Sequence, residues 1–174
     1  MNRDKLAKEV LAISHLTGTF TLRSGQVSHQ YFDKYRFESQ PKLLKPIAEF
    51  MAKLIPSDTQ ALAGLEMGGI PIATALSFET GLPVVFVRKK AKDYGTCRFA
   101  EGLEVRGQKL CVIEDVITTG GQVLESVQAL RADGAVIDTV LCCILRGDKN
   151  AATFRDLGLS VRELFTMQEL LSHQ

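Results

Sequence analysis

Two adjacent carboxylates, Glu114 and Asp115, follow an apolar stretch and precede the run Thr-Thr-Gly-Gly at residues 118–121. Carboxylates accept hydrogen bonds from hydroxyl groups. A glycine-rich turn before a helix lets backbone N–H groups approach an anion, and the helix N-terminus adds positive partial charge. A ligand that carries vicinal hydroxyls beside a phosphate, such as a ribose 5-phosphate, satisfies both halves of this segment.

The turn differs from the two common nucleotide-binding loops. No Lys-Ser/Thr pair follows its glycines, as a Walker loop requires, and the pattern G-x-G-x-x-G is absent. A second candidate segment, residues 88–102, carries five basic residues between positions 88 and 98. Loops of this length are more often functional than not. Its charges suit a pyrophosphate group, and Gly95 and Gly102 would let it move as a lid.

Hydrophobic periodicity predicts the elements that position these residues. Helices are predicted over residues 4–17, 41–54, 70–80 and 121–133, and strands over 19–22, 30–37, 61–65, 83–87, 109–113 and 136–145. The later strands are apolar on both faces and alternate with helices, which predicts a parallel sheet covered on both sides, a Rossmann-like α/β core. Ligands of such sheets bind at the carboxyl ends of the strands, here just after residues 65, 87, 113 and 145.

Composition excludes several classes of protein. The 174 residues fit one domain, 45% are hydrophobic, and 21 basic against 20 acidic residues give a net charge of +1, so no global field gathers nucleic acid or anionic membrane. No signal peptide or membrane-spanning run is predicted, which favours the cytoplasm. We expect Cys111, Cys142 and Cys143 to be small buried hydrophobes, whereas Cys97 falls in a polar loop.

Residues 112–121 resemble the phosphoribosyl-pyrophosphate (PRPP) motif of type I phosphoribosyltransferases. The resemblance implies that Glu114 and Asp115 hold the ribose hydroxyls and that the following turn holds the 5-phosphate. The PRPP-binding residues that it implies in this segment are Glu114, Asp115, Val116, Ile117, Thr118, Thr119, Gly120, Gly121 and Gln122. It also implies the type I fold: a mostly parallel sheet flanked by helices, with a small N-terminal hood.

The basic segment is similar to the mobile loop R-K-x-x-K-D-H-G of orotate phosphoribosyltransferases. The positions that match are Arg88, Lys89, Lys92, Asp93 and Gly95. Tyr94 stands where many members have histidine, and a tyrosine can still donate a hydrogen bond to phosphate. The resemblance implies that Lys92 stabilises the departing pyrophosphate. It also implies a homodimer in which residues 88–102 reach the partner's active site.

A third resemblance concerns the N-terminal signature F-x-L-x-S-G-x-x-S-x-x-Y, which begins at Phe20 and ends at Tyr31. Arg23 replaces a frequent lysine and is an expected PRPP contact. Orotate, a flat ring with a carboxylate, is expected to meet Thr118, Tyr31, Phe32 and Arg146, whose planar guanidinium suits a carboxylate.

The run Glu-Met-Gly-Gly-Ile-Pro at residues 66–71 occupies the place of the family's other pyrophosphate loop. Some relatives have a tyrosine-lysine pair where Met67 and Gly68 stand. Backbone N–H groups of Gly68 and Gly69 are expected to replace part of that contact, and Glu66 is expected to help place a metal through water.

Together these resemblances imply transfer of the phosphoribosyl group from PRPP to orotate, which gives orotidine 5′-monophosphate and pyrophosphate in pyrimidine biosynthesis. Lys92, Asp115 and Glu114 are the implied catalytic residues, and Mg²⁺ would be held mainly by substrate and water. Residues 1–174 form one domain, with a hood largely from 1–40 and a core over about 41–165. Two alternatives stay open: the same chemistry on a purine base, or a PRPP-sensing regulator that binds without turnover. Residues 147–174 give no functional signal.

Overall fold

The computed structural model of the protein describes residues 1–21, 25–90 and 99–173. In chain order, the described elements are α1 (Arg3–Ser14), β1 (His15–Thr21), β2 (Val27–Phe32), α2 (Tyr35–Glu38), α3 (Pro41–Ala52), β3 (Ala61–Leu65), α4 (Gly69–Thr80), β4 (Val84–Val87), β5 (Ala100–Glu101), β6 (Lys109–Ile117), α5 (Gly121–Ala132), β7 (Val136–Leu145), α6 (Ala152–Asp156), β8 (Ser160–Thr166) and α7 (Met167–Leu171).

A six-stranded sheet has the order β5-β4-β3-β6-β7-β8, and β1 pairs with β2 in a separate antiparallel hairpin. All neighbours in the large sheet are parallel except β4 and the short edge strand β5. The predicted α/β architecture with a mostly parallel sheet is therefore confirmed. The separate hairpin lies in the N-terminal region where a small hood was predicted.

Strand β6 shows why the sheet is covered on both faces. Successive side chains of a strand point to opposite faces. Cys111 and Ile113 belong to one hydrophobic cluster, together with side chains of α1, α3 and α4, whereas Leu110 and Val112 belong to a second cluster with side chains of α5. These four side chains are at most 1% exposed. The central strands are thus fixed from both sides, and their carboxyl ends form a rigid edge.

Helix α3 begins at Pro41, as predicted, and buries Leu43, Ile47 and Met51 along one stripe. Proline suits a first helical position because that N–H lacks an intrahelical partner. The helix also continues through Pro46. Helix α4 ends at Gly81, whose φ of +75° is a left-handed conformation that glycine adopts without strain.

Two N-terminal predictions were wrong in extent. The first helix ends at Ser14 rather than at residue 17, and Gly18 lies inside β1, because His15 already takes an extended conformation and pairs with Phe32. The strand predicted over residues 30–37 ends at Phe32, and a short helix follows over Tyr35–Glu38. This second error matters for the site described below.

Two further differences lie in the sheet. Strand β6 extends to Ile117 rather than ending at residue 113, because it stays in register with β7 as far as the pair Ile117 and Leu145. Glu114 and Asp115 therefore lie within the strand. Residues 147–174, which gave no functional signal, include β8, which completes the sheet beside β7.

Within the described residues, no helix is both long enough and apolar enough to cross a membrane. Cys111, Cys142 and Cys143 are buried, as predicted, and their thiols are free. Burial raises the pKa of the Cys111 thiol to about 12, so this side chain stays protonated and acts as a small hydrophobe. Cys97 lies outside the described residues.

Candidate active site

A cavity of about 290 Å³ opens at the carboxyl end of β6. The residues that line it are Lys34, Tyr35, Glu66, Met67, Lys89, Glu114, Val116, Ile117, Thr118, Thr119, Gly120, Gly121, Gln122 and Val123. They come from α2, from the loops after β3 and β4, and from the turn between β6 and α5. The edge of the sheet where chemistry was predicted thus holds most of the predicted PRPP-binding residues.

The turn between β6 and α5 forms the floor of this cavity. Gly120 is the N-cap of α5 with a φ of +80°. A Cβ at this position would also overlap the ring of Phe154, a buried side chain of α6. Glycine is therefore required here for conformation and for space. The turn leads directly into the N-terminus of a twelve-residue helix, which favours an anion.

The two acids of β6 differ in their surroundings. Glu114 lines the cavity, whereas the Asp115 side chain is fully buried. One Asp115 oxygen, Oδ1, accepts a hydrogen bond from the Val116 N–H. The other, Oδ2, lies 2.5 Å from Nζ of Lys34. Before substrate binds, Asp115 is thus engaged inside the protein, and Glu114 is the acid that faces the cavity.

The pKa values of the two acids move in opposite directions. Burial and the neighbouring Asp115 raise the pKa of Glu114 to about 9. Burial also works against ionisation of Asp115, but hydrogen bonds from Glu114 and Lys34 and the Lys34 charge lower the pKa of Asp115. The pair therefore holds one proton at neutral pH, on Glu114, with the negative charge on Asp115.

Helix α2 supplies two charged residues that sequence reasoning missed. Lys34, its N-cap residue, pairs with Asp115, and Glu38 is only 5% exposed. Burial and then the charge of Asp115 raise the pKa of Glu38 to about 8. A Lys-Glu pair four residues apart is a helical signal, but residues 30–37 were interpreted as a strand, which ends before Glu38 and places no helix here.

The loop after β3 approaches the acids closely. A Cβ on Gly68 would overlap the Asp115 carboxylate, and one on Gly69 would overlap the Ile113 carbonyl oxygen. The Glu66–Met67 peptide bond in this loop is cis. Glu66 accepts a hydrogen bond from the Lys89 N–H at 3.0 Å. The two predicted pyrophosphate-binding segments therefore meet beside the cavity.

The start of the basic loop is only partly described. Lys89 lines the cavity, and Arg88 forms an ion pair with Glu101 at 3.4 Å. The Arg88 N–H donates to the Phe99 carbonyl at 2.9 Å, which holds the two ends of the loop together. Lys92 and Tyr94, together with Arg23 from the N-terminal signature, lie outside the described residues.

The predicted orotate contacts are not gathered in one place. Thr118 lines the cavity. Arg146 is exposed at the end of β7, where its N–H donates to the Ile117 carbonyl at 2.8 Å. Tyr31 stacks on Phe20 in the hairpin with ring centroids 5.4 Å apart, and Phe32 packs against the core. Arg146 thus adjoins the phosphate turn, whereas the two aromatic residues lie outside the described lining of the cavity.

Comparison with known proteins agrees with this site. Residues 35–168 match the family model for the phosphoribosyl transferase domain. An orotate phosphoribosyltransferase of Nocardioides sp. (strain ATCC BAA-499 / JS614) is 52% identical over 95% of this chain and 92% of its own length. The chain belongs to the orotate phosphoribosyltransferase family.

Two further members of this family support the assignment. The orotate phosphoribosyltransferase of Methanocaldococcus jannaschii is 38% identical over 97% of this chain and 95% of its own length. A crystal structure of the Mycobacterium tuberculosis H37Rv orotate phosphoribosyltransferase in complex with PRPP has a TM-score of 0.81 and 30% identity, covering 97% of this chain and 98% of that one. The similarity therefore covers the hairpin and α2 as well as the sheet.

The described part of the chain offers no ready-made metal cage: no three His, Cys, Asp or Glu side chains there lie close enough together to hold an ion. The carboxylates that line the cavity are Glu66 and Glu114. This donor set fits an ion that takes most of its oxygens from substrate and water, as Mg²⁺ commonly does in phosphate chemistry.

Proposed function

We propose that this family member transfers the 5-phosphoribosyl group of PRPP to orotate, which gives orotidine 5′-monophosphate and pyrophosphate. The observation that carries the proposal is a single cavity in which the phosphate turn of residues 118–121 lies beside Glu114 and beside the ion pair of Asp115 with Lys34. This arrangement places a phosphate site next to side chains that hydrogen-bond hydroxyl groups, which suits a sugar phosphate.

The phosphate turn binds one end of PRPP. Backbone N–H groups at the start of α5 and the exposed hydroxyls of Thr118 and Thr119 donate to the 5-phosphate. Glu114, and Asp115 once it is released from Lys34, hydrogen-bond the ribose hydroxyls. These contacts fix the ribose so that its C1 faces the orotate side, which supplies the positioning part of catalysis.

Transfer breaks the bond between C1 and a pyrophosphate oxygen, and the electron pair leaves with pyrophosphate. A ring nitrogen of orotate gives up its proton, which the departing pyrophosphate can accept, and forms the new bond to C1 from the opposite face. Lys89 lies at the cavity, and we propose that it contacts the pyrophosphate together with Arg88, Lys92 and Tyr94. Fixed cations in a closed site stabilise the leaving group more than water does.

Orotate recognition rests on Arg146, which adjoins the phosphate turn through its backbone hydrogen bond to Ile117. A guanidinium binds a carboxylate through two parallel hydrogen bonds. We propose that Arg146 binds the orotate carboxylate, while Thr118 and the backbone near Tyr31 and Phe32 hold the ring. A purine base carries no carboxylate, so this arginine favours orotate over the purine alternative.

We propose that Mg²⁺ supports the reaction. When bound to the substrate, the ion neutralises charge on the pyrophosphate. Glu66 lines the cavity and would hold the ion through water. We further propose that the enzyme works in the cytoplasm.

A homodimer is proposed from an exposed apolar surface near the cavity. Met67, Phe78 and Phe86 are 56%, 87% and 38% exposed, and an apolar groove between α3 and α4 continues this surface. Surfaces of this kind commonly mark interfaces. The occupant that we propose is a second copy of the chain, since β4, which carries Phe86, leads into the basic loop that the family resemblance implies is shared between subunits.

Subunit complementation tests the shared site. Lys92→Ala in one copy and Asp115→Asn in the other should each be nearly inactive, and mixed dimers should regain activity because one intact site forms. Phe78→Glu should produce monomers in sedimentation experiments, whereas Val136→Glu, at a residue that is 50% exposed on β7, should not. No recovery in mixed dimers would overturn the shared site.

The catalytic proposal is tested by following the loss of orotate absorbance with PRPP and Mg²⁺, with hypoxanthine, guanine, adenine and uracil in parallel. Turnover of orotate alone is the expected result. Turnover of a purine instead would keep the phosphoribosyl chemistry and overturn the role of Arg146. Measurable PRPP binding without turnover of any base would favour the alternative of a PRPP-sensing regulator.

A further inference from the structure

Lys34 is a charged residue of the cavity to which the sequence signatures assign no role. Its side chain is 33% exposed, whereas its partner Asp115 is 0% exposed, and the ammonium lies 2.5 Å from Asp115 Oδ2. The same ammonium lies 5.3 Å from the centroid of the Tyr35 ring. Lys34 therefore stands between a buried carboxylate and the open cavity.

The position of the ammonium is also fixed relative to the loop after β3. A Cβ on Gly68 would overlap Asp115 Oδ2, the oxygen that pairs with Lys34. The ammonium therefore lies close to the backbone of Gly68 in the loop after β3. Lys34 and Lys89 are the two cations in the described lining of the cavity.

The substrate carries negative charge at both ends of its ribose. The turn of residues 118–121 serves the 5-phosphate through backbone N–H groups and hydroxyls. The diphosphate on C1 then points to the opposite side, where Glu66 already accepts from the Lys89 N–H. A lysine ammonium at this place is a compact charge with three donors, which suits a diphosphate.

On the basis of the proposed function, we propose that Lys34 is a pyrophosphate-binding residue. In the free enzyme its ammonium pairs with Asp115, and when PRPP binds it pairs with the diphosphate instead. The exchange frees Asp115 Oδ2 for a ribose hydroxyl, while the Val116 N–H keeps the other oxygen in place. The ammonium remains paired with an anion throughout, and the Asp115 carboxylate accepts a hydrogen bond from the ribose hydroxyl in place of its contact with Lys34.

A pyrophosphate-binding role and a structural role of Lys34 can be distinguished by measuring the binding of the two halves of PRPP separately. Inorganic pyrophosphate with Mg²⁺ and ribose 5-phosphate are titrated separately, by calorimetry, into the wild-type protein and the variants. Lys34→Met should weaken pyrophosphate binding about 10- to 100-fold, the loss typical of one hydrogen bond to a charged group. Lys34→Arg should recover part of it. Ribose 5-phosphate binding should stay within about threefold of wild type, since Asp115 is retained.

Lys42→Met is the matched control, because Lys42 is an exposed residue of α3 outside the cavity lining. Its pyrophosphate affinity should equal that of the wild type. Unchanged pyrophosphate affinity in Lys34→Met would overturn the proposal. Equal losses for pyrophosphate and ribose 5-phosphate would also overturn it, since Lys34 would then act by holding Asp115.

Loss of Lys34 leaves a buried carboxylate without its cation, which can destabilise the fold. If Lys34→Met does not fold, the double variant Lys34→Met/Asp115→Asn removes both charges. Its pyrophosphate affinity is then compared with that of Asp115→Asn alone, and the same loss is expected. Orotate turnover by the wild-type enzyme tests the proposed function by itself. If the wild-type enzyme turns over orotate and Lys34→Met binds pyrophosphate as tightly as the wild type, only the role of Lys34 is disproved.

Discussion

The phosphate turn and helix α2 form two sides of one cavity by different means. The turn is one contiguous segment, residues 118–121, between β6 and α5, and its proposed phosphate contacts come mainly from backbone N–H groups. Helix α2 lies about eighty residues earlier in the chain and contributes side-chain charges, Lys34 and Glu38, against Asp115. A backbone site is sensitive to added volume, whereas a side-chain site is sensitive to charge and pH.

This difference predicts that charge removal at the point where the two sides meet has the largest effect on activity. Asp115→Asn removes the partner of Lys34 and a proposed acceptor for the ribose hydroxyls, so kcat/KM for PRPP should fall about 10²- to 10³-fold. Steady-state kinetics with PRPP varied at saturating orotate measures it.

Asp138→Asn is the control for this loss, because Asp138 also pairs with a lysine, Lys109, but is 51% exposed on β7. Its kcat/KM should stay near the wild-type value, as expected for an exposed ion pair. A loss of less than about tenfold in Asp115→Asn would contradict the role given to the buried pair.

Added volume should have the next largest effect, and it should act on the backbone side. Gly120→Ala places a Cβ at a φ of +80° and against the Phe154 ring. The strain is about 1–3 kcal/mol, so the melting temperature should fall, and displacement of the turn should raise the KM for PRPP at least about tenfold.

Gly121→Ala adds the same methyl group one residue later, where no atom lies within 4 Å and the residue opens α5. Its melting temperature should equal or exceed that of the wild type, because alanine favours a helix over glycine by up to about 1 kcal/mol. Equal destabilisation by both substitutions would show that the Phe154 contact and the left-handed conformation do not matter.

The two sides also differ in how far the sequence predicts them. The acids and the phosphate turn in residues 114–121 can be predicted from local rules, since the acids, threonines, glycines and the following helix are adjacent in the chain. The one error in this segment, the end of β6, arose because pairing with β7 extends the strand as far as Ile117. Lys34 and Glu38 could not be located, because their role depends on a short helix between the hairpin and α3, an arrangement that only tertiary packing determines.

Arg146 adjoins the phosphate turn, but we propose that it binds the other substrate, orotate, so its substitution should affect the two substrates differently. Arg146→Lys keeps the charge and loses the paired donors of the guanidinium. We expect kcat/KM for orotate to fall about tenfold, within the range for charged hydrogen bonds, while the KM for PRPP changes little. Arg155→Lys, on an exposed residue of α6, should leave both unchanged. Equal losses for both substrates would mean that Arg146 supports the turn rather than orotate.

Glu38→Gln is expected to have the smallest effect on activity. Its main effect should be on how the free energy of unfolding depends on pH. Burial and the charge of Asp115 raise the pKa of Glu38 to about 8 in the folded protein, above the usual 4.5. Between these values the folded state binds more protons than the unfolded state, so wild-type stability falls as pH rises from about 5 to about 8.

Glutamine keeps the shape of this side chain and cannot ionise, so Glu38→Gln should lose less stability over the same range. The gain is at most about 1.4 kcal/mol for each pH unit, and Glu114, whose pKa is raised to about 9, should leave a residual slope of the same sign. Urea unfolding at pH 5, 6.5 and 8 measures it, with Glu125→Gln on the exposed face of α5 as control. Parallel pH dependences for Glu38→Gln and wild type would mean that Glu38 is already ionised beside Asp115, and Lys34 would then balance two carboxylates rather than one.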